Sequence, residues 1–185
     1  MAKKLIELVK KQYADAVIDS HSRLGNDTIV IEASRVEEIL LFVRDHAQSK
    51  LNLLRDLTCV DYLHRVPRFE VVYVLYSMEL KHQLIVRALV DGDKPVAPTA
   101  SVVYPIAGWM EREVWDMYGV HFEGHPDLRR VLLYEEFEGH PLRKDYAIQA
   151  SQPRVALRAR ERDSVEEFKT FVQDKGAAAG SRDKF

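Results

Sequence analysis

The pentapeptide Phe-Glu-Gly-His-Pro occurs twice, at Phe122–Pro126 and Phe137–Pro141, fifteen residues apart. Neither copy fits inside a helix or a strand. Gly admits positive φ, Pro fixes φ and has no N–H, and the residue before Pro is driven to extended geometry. Each copy therefore predicts a stiff corner that aims an imidazole. A basic pair follows each one, Arg129–Arg130 after the first and Arg143–Lys144 after the second. Two such corners in one stretch make a shaped surface, and a metal, a substrate, a nucleic acid or another protein is what it docks against.

The chain leading to these corners alternates helix and strand patterns. Residues 2–16 carry Leu5, Leu8, Val9, Tyr13 and Ala16 near helical spacing. Ala16–His21 and Thr28–Glu32 read as a hairpin across Leu24-Gly25-Asn26-Asp27. Ser34-Arg35-Val36-Glu37 reads as a capping box opening a helix with Val36, Ile39, Leu40 and Val43 as its buried stripe. Strands are expected at Leu53–Leu63, Phe69–Ser77 and Gln83–Val90, the last two as antiparallel neighbours. Phe69–Ser77 is apolar on both faces, which predicts a central strand covered on both. Thr99 or Ser101 is placed to cap a helix running to about Tyr118, with Pro105 in or near its first turn and Gly119 as its stop.

This order predicts an α+β fold. It is a two-layer domain with a mixed, largely antiparallel sheet of about five strands covered by helices, plus an extended C-terminal arm. Residues 1–118 form the domain, 119–150 the arm and 151–185 a polar tail. Within the tail, residues 164–174 carry a capping box and a short helix pattern, and residues 176–185 read as disordered.

Composition narrows the chemistry. A hydrophobic content of 46% with 30% charged residues and a net charge of −2 is that of a soluble globular domain with no global pull toward nucleic acid. Residues 108–146 hold nine acidic side chains against five basic ones, which opposes a phosphate-binding stripe. The single Cys59 excludes an internal disulfide or a cysteine-ligated cluster within this chain, and suits a reducing compartment. No Gly-rich phosphate loop is present, no apolar run is long enough to span a bilayer, and the N-terminus lacks the apolar core of a secretory signal.

His121, His125 and His140 invite a metal reading, yet Gly124 and Pro126 deny them the helical face that His-x-x-x-His needs. Glu111, Glu113 and Asp116 invite an acid–base reading, yet a helix face pairing with Arg129, Arg130 or Arg143 accounts for them with less machinery. Trp109, Trp115, Tyr118, Phe122, Phe137 and Tyr146, mixed with Arg and carboxylates, have the composition of an interface centre. The alternative is that these aromatics pack the arm onto its own domain.

The run Glu111-Arg112-Glu113-Val114-Trp115-Asp116-Met117-Tyr118-Gly119-Val120-His121-Phe122-Glu123-Gly124-His125-Pro126-Asp127-Leu128-Arg129-Arg130 closely resembles the signature of the 30-kDa subunit family of respiratory complex I, known in bacteria as the C-type subunits of NADH–quinone oxidoreductase. Glu138-Gly139-His140-Pro141-Leu142-Arg143-Lys144-Asp145-Tyr146 resembles the later motif of the same family. Tyr134-Glu135-Glu136 and Ala147 depart from it. The resemblance implies a non-catalytic subunit of a proton-translocating enzyme that passes electrons from NADH through FMN and iron–sulfur centres to quinone. It implies no cofactor in this chain, since FMN, the clusters and quinone belong to the complex. The implied partners are the 49-kDa subunit and the iron–sulfur subunit nearest quinone, with neither nucleic acid nor direct membrane insertion. The implied place is the cytoplasmic side of the cell inner membrane, held there by the complex. The expected docking residues are Arg112, Glu113, Asp116, His125, Arg129, Arg130, His140, Arg143, Lys144 and Asp145, with the two histidines bonded within their turns. Relatives in F420H2 dehydrogenases and membrane-bound hydrogenases leave an equivalent accessory role open, and a small His-dependent metalloenzyme is the reading from another class.

Overall fold

A computed structural model describes residues 4–92 and 94–153. The helix and disorder expected within residues 164–185 lie outside the described residues. The order is α1 (Lys4–Gln12), β1 (Val17–Arg23), β2 (Asn26–Glu32), α2 (Val36–Asp45), β3 (Leu53–Asp61), β4 (Phe69–Tyr76), β5 (Gln83–Val90), β6 (Val96–Pro98), α3 (Ala107–Tyr118) and β7 (His121–Glu123). Five strands form one sheet in the order β1-β2-β5-β4-β3. Only β2 and β5 run parallel within it, and the other three pairings are antiparallel. The mixed, largely antiparallel sheet is the one the sequence pattern calls for.

Local chemistry places these elements. Leu24 and Gly25 both take positive φ, +51° and +81°, the geometry of a two-residue hairpin turn that matches strand twist. On β4, Phe69, Val71, Tyr73 and Leu75 are fully buried, and on β5 Leu84, Val86 and Ala88 join them. Val9 of α1, Val36, Ile39, Leu40 and Val43 of α2, and Ala107 and Val114 of α3 pack into the same core. Each Val, Leu, Ile or Phe among them contributes roughly 1.5–3 kcal/mol by leaving water.

Three expectations are corrected. First, the apolar second face of β4 is not covered by any described element: Val72, Val74 and Tyr76, with Ile85 and Leu89 of β5, are half-exposed. A two-sided apolar strand signals two covering layers only if helices lie on both faces, and the three helices among the described residues join the core on one. Second, Ser34 makes no capping bond; the chain enters α2 through a 3-10 turn at Ala33–Arg35, and Arg35 pairs with Glu38. Third, α3 starts at Ala107 rather than near Ser101. Tyr104 N–H donates to Ala100 O at 2.8 Å, but Pro105 has no N–H with which to continue that ladder.

The stretch after Gly119 is not wholly irregular. His121–Glu123 pairs in parallel with Val96–Pro98 as a second, two-stranded sheet, which buries Phe122 to 1% exposure. Three residues are too few to show a strand period.

Candidate functional site

α3 ends at Gly119, whose φ is +78°. A Cβ there would lie 2.6 Å from the His140 ring, so the backbone conformation and the approach of the second corner both require glycine. The glycines of the two pentapeptides also take positive φ, +81° at Gly124 and +87° at Gly139, as the corner reading demands.

The two imidazoles reach the two ends of one helix. His125 Nδ1 accepts the Asp127 N–H at 3.0 Å, so the proton of the neutral ring sits on Nε2, which donates to Gly108 O at 2.9 Å. His140 Nδ1 bonds Asp116 O at 3.0 Å. Gly108 and Asp116 are about 12 Å apart along the axis at 1.5 Å per residue. His125 thus makes one bond within its turn and one outside it, whereas His140 reaches outward.

Between these two points α3 holds the arm by its backbone. Arg112, 9% exposed, donates from Nε to Arg129 O and from Nη2 to Arg130 O, both at 3.1 Å. Asp116, fully buried, accepts the N–H groups of Val131, Leu132 and Leu133 on Oδ2 at 3.1, 2.9 and 3.0 Å. Its Oδ1 accepts Arg130 Nη1 at 2.6 Å. Burial alone would raise the Asp116 carboxyl, but these donors outweigh it and hold it below the ordinary carboxylate range. Arg130 also donates to Phe137 O at 2.7 Å and lies over the rings of Trp115 and Phe137. An irregular segment has no ladder of its own, so these side chains supply the partners its polar backbone requires.

A second attachment lies at the end of β3. Asp61 accepts Nε and Nη2 of Arg68 at 2.7 Å each, and the Lys144 N–H at 2.7 Å. Arg68 Nη1 donates to Asp145 at 2.9 Å, and Arg143 Nε to the same carboxylate at 3.3 Å. The Arg68 bond lowers Asp61, and it brings Asp145 down to about 2. Both guanidinium groups, of Arg68 and Arg143, lie over Phe69. The sequence pattern does not single out Asp61 and Arg68. They pair with each other across seven residues, but their partners in the arm, Lys144 and Asp145, lie some eighty residues away, so nothing local marks the attachment; only Asp61 closing an apolar strand hints at a buried charge.

The remaining candidates divide. Glu113 is exposed on α3, and Arg129 is exposed and pairs with Asp127 at 3.0 Å. Lys144 enters the attachment through its backbone while its side chain is exposed. The three carboxylates of α3 point three ways. Glu111 is buried and accepts Thr99 Oγ1 at 2.6 Å and the Ala100 N–H at 2.5 Å, with His125 Nε2 3.8 Å away. Burial raises its carboxyl. The histidines do not converge: His121 is exposed, and the other two are bonded to opposite ends of α3. Among the described residues no group of three or more His, Cys, Asp or Glu side chains is arranged to hold a metal ion. Cys59 is buried, which pushes its thiol up to about 12. Among the same residues no helix is long and apolar enough to cross a membrane.

Residues 29–152 match the family described as "Respiratory-chain NADH dehydrogenase, 30 Kd subunit", a span that contains both attachments. The chain is 47% identical over 133 residues to the C-type NADH-quinone oxidoreductase subunit of Caulobacter vibrioides, covering 72% of this chain and 67% of that one. It is 42% identical over 142 residues to the subunit of the same name from Geobacter sulfurreducens, covering 76% and 86%. Among solved structures it is similar to Nqo5 in a trypsin-resistant fragment, with a TM-score of 0.55 and 32% identity over 67% of this chain and 98% of that one. A chain of the membrane-bound sulfane sulfur reductase, an archaeal respiratory membrane complex, matches with a TM-score of 0.69 over 80% of this chain and 86% of that one; at 24% identity this shows the fold alone.

Proposed function

We propose, on the premise that this chain belongs to the respiratory-chain NADH dehydrogenase 30 Kd subunit family, that it is the scaffold for the 49-kDa subunit in the peripheral arm of a proton-translocating NADH:quinone oxidoreductase. Membership makes it part of an enzyme complex. In this reading it supplies no catalytic group: FMN, the iron–sulfur centres and the quinone site belong to other subunits, among them the iron–sulfur subunit nearest quinone. The complex holds the chain at the cytoplasmic side of the cell inner membrane.

The observation that carries the scaffold role is the saturation of the arm. Arg112, Asp116, Arg130, His125 and His140 are bonded to α3 or to the arm's own backbone. They act by fixing the arm's shape, while Glu113, Arg129 and Lys144 face outward. A rigid surface loses less conformational entropy on association than a mobile one. Asp145 and Arg143 join the two roles: Asp145 is bonded to Arg68 of the domain, Arg143 is bonded to Asp145 and lies over Phe69, and both are partly exposed.

Co-purification of the 49-kDa subunit with the full chain tests this. Arg129→Glu with Lys144→Glu should reduce capture several-fold while leaving the melting temperature unchanged. Wild-type capture by the double variant would remove both residues from the interface. An equivalent place in an F420H2 dehydrogenase or membrane-bound hydrogenase is distinguished by the electron donor of the purified complex: NADH oxidation supports the reading above.

A further inference from the structure

The segment leading into α3 exposes apolar side chains that no described residue covers. Val102 is 62% exposed, Ile106 48% and Trp109 62%, while Val103, Tyr104 and Ala107 beside them are buried. These exposures belong to a rigid segment. Arg44 Nη1 donates to Val103 O at 2.9 Å, Tyr104 Oη donates to Leu51 O at 2.6 Å, and the Ala100 N–H is held by buried Glu111. The Trp109 ring lies 4.7 Å from the Arg112 guanidinium carbon, and Arg112 is itself fixed by two arm carbonyls.

Ile106, Trp109 and Glu113 recur at intervals of three and four, so they share one stripe of the helix. Glu113 is exposed and makes no ion pair among the described residues, whereas Arg129 is paired with Asp127 and Arg44 with Asp45. The stripe therefore combines a pre-oriented tryptophan, a flanking aliphatic side chain and one uncompensated carboxylate.

We infer that this stripe is an anchor for a protein partner. Trp109 enters an apolar pocket of another subunit, and that subunit presents Lys or Arg to Glu113. The inference rests on the subunit reading above and extends it from the arm to α3. An exposed Trp held in one orientation contributes large contact area at small entropic cost, the property of an interface hot spot. An anionic lipid surface would repel the free carboxylate. A symmetric contact with a second copy would bring like stripes together and supply no cation.

The test uses the full chain in membranes that contain the whole complex, with Ile106→p-benzoylphenylalanine as a photo-crosslinker. A covalent adduct with a different subunit, at a segment bearing Lys or Arg, is the expected result. An adduct with a second copy or with lipid, or no adduct in an intact complex, overturns the anchor. In parallel, Trp109→Ala should weaken retention of the partner about 30-fold, the effect of truncating a hot spot. Glu113→Lys should weaken it about tenfold without moving the melting temperature, which keeps the test decisive if Trp109→Ala proves unstable. Failure of the wild-type chain to co-purify with any NADH-quinone oxidoreductase subunit overturns the subunit reading and the anchor together. Assembly with both variants at wild-type yield overturns the anchor alone.

Discussion

Arg112 and Asp116, one turn apart on α3, bond five consecutive residues of the arm by their backbone: Arg112 takes the carbonyls of Arg129 and Arg130, and Asp116 takes the N–H groups of Val131, Leu132 and Leu133. A donor and an acceptor at i and i+4 thus read the two polarities of one segment, which bends at residues 131–133 so that three successive N–H groups converge on one oxygen. Bonds to charged groups contribute on the order of 1.5–3 kcal/mol each, so this pair is a strong restraint on the arm.

Asp116→Asn removes the charge that Arg130 faces and leaves a partly buried guanidinium group without its fully buried counter-ion. Breaking a buried pair on one side costs about 3–5 kcal/mol. The expected outcome is that loss in chemical denaturation, with faster amide exchange at Val131, Leu132 and Leu133. Unchanged protection of those three amides would show that Asp116 does not hold them.

Gly119→Ala meets two separate penalties, a positive φ and a collision with the His140 ring. The φ penalty is about 1–2 kcal/mol. Adding His140→Ala relieves only the collision, so the double variant should be less destabilised than the sum of the single ones. Additive losses in a double-mutant cycle would mean the ring moves aside at no cost.

Arg68→Ala leaves the buried Asp61 carboxylate without its counter-ion, with the Lys144 N–H as its remaining donor, and releases Asp145 from the domain. We expect a loss of about 3–5 kcal/mol and new proteolytic cleavage between residues 142 and 147. Arg68→Lys should recover little, since an ammonium cannot reproduce the two-pronged contact with Asp61 and still reach Asp145.

Stability should fall on acidification below about pH 4. Asp61, Asp116 and Asp145 titrate lower in the folded chain than in the unfolded one, so the unfolded chain binds more protons as pH falls. Their contribution is complete above the unfolded carboxylate pKa and is lost as pH drops through the folded values, about 2 for Asp145. Glu111 has the opposite sign. Burial raises its folded pKa, so its contribution is largest at low pH and declines as pH rises through and above the ordinary glutamate range. Glu111→Gln should flatten that decline in a pH series of denaturation midpoints; an unaltered slope would rule it out.

Most of the domain was legible because its signals are local. The stripe at Val36, Ile39, Leu40 and Val43, the alternation in Phe69–Ser77 and the Leu24-Gly25 turn each depend on residues within a few positions. The missed features depend on distant ones. Whether β4 is covered on its second face depends on where three helices pack, and the β6–β7 pairing joins segments more than twenty residues apart. The expected docking residues include the side chains that attach the arm, but the sequence does not say which of them turn inward to hold it. Arg112 and Asp116 turn inward whereas Glu113, lying between them, turns out, a division that follows from helical phase once α3 is seated on β3.

The repeated Phe-Glu-Gly-His-Pro by itself determined that the chain makes two rigid corners, because φ at Gly and Pro is a property of the residue and its neighbour. It also carried, with the run from Glu111 to Tyr146, the resemblance to the 30-kDa subunit family. Tertiary structure alone decided that both corners bind the two ends of α3, that Asp61 and Arg68 secure the segment after the second, and that Trp109 is left exposed. Hydrogen bonds and ion pairs are chosen by distance in space, and a buried polar group takes whichever partner the packed core brings within about 3 Å.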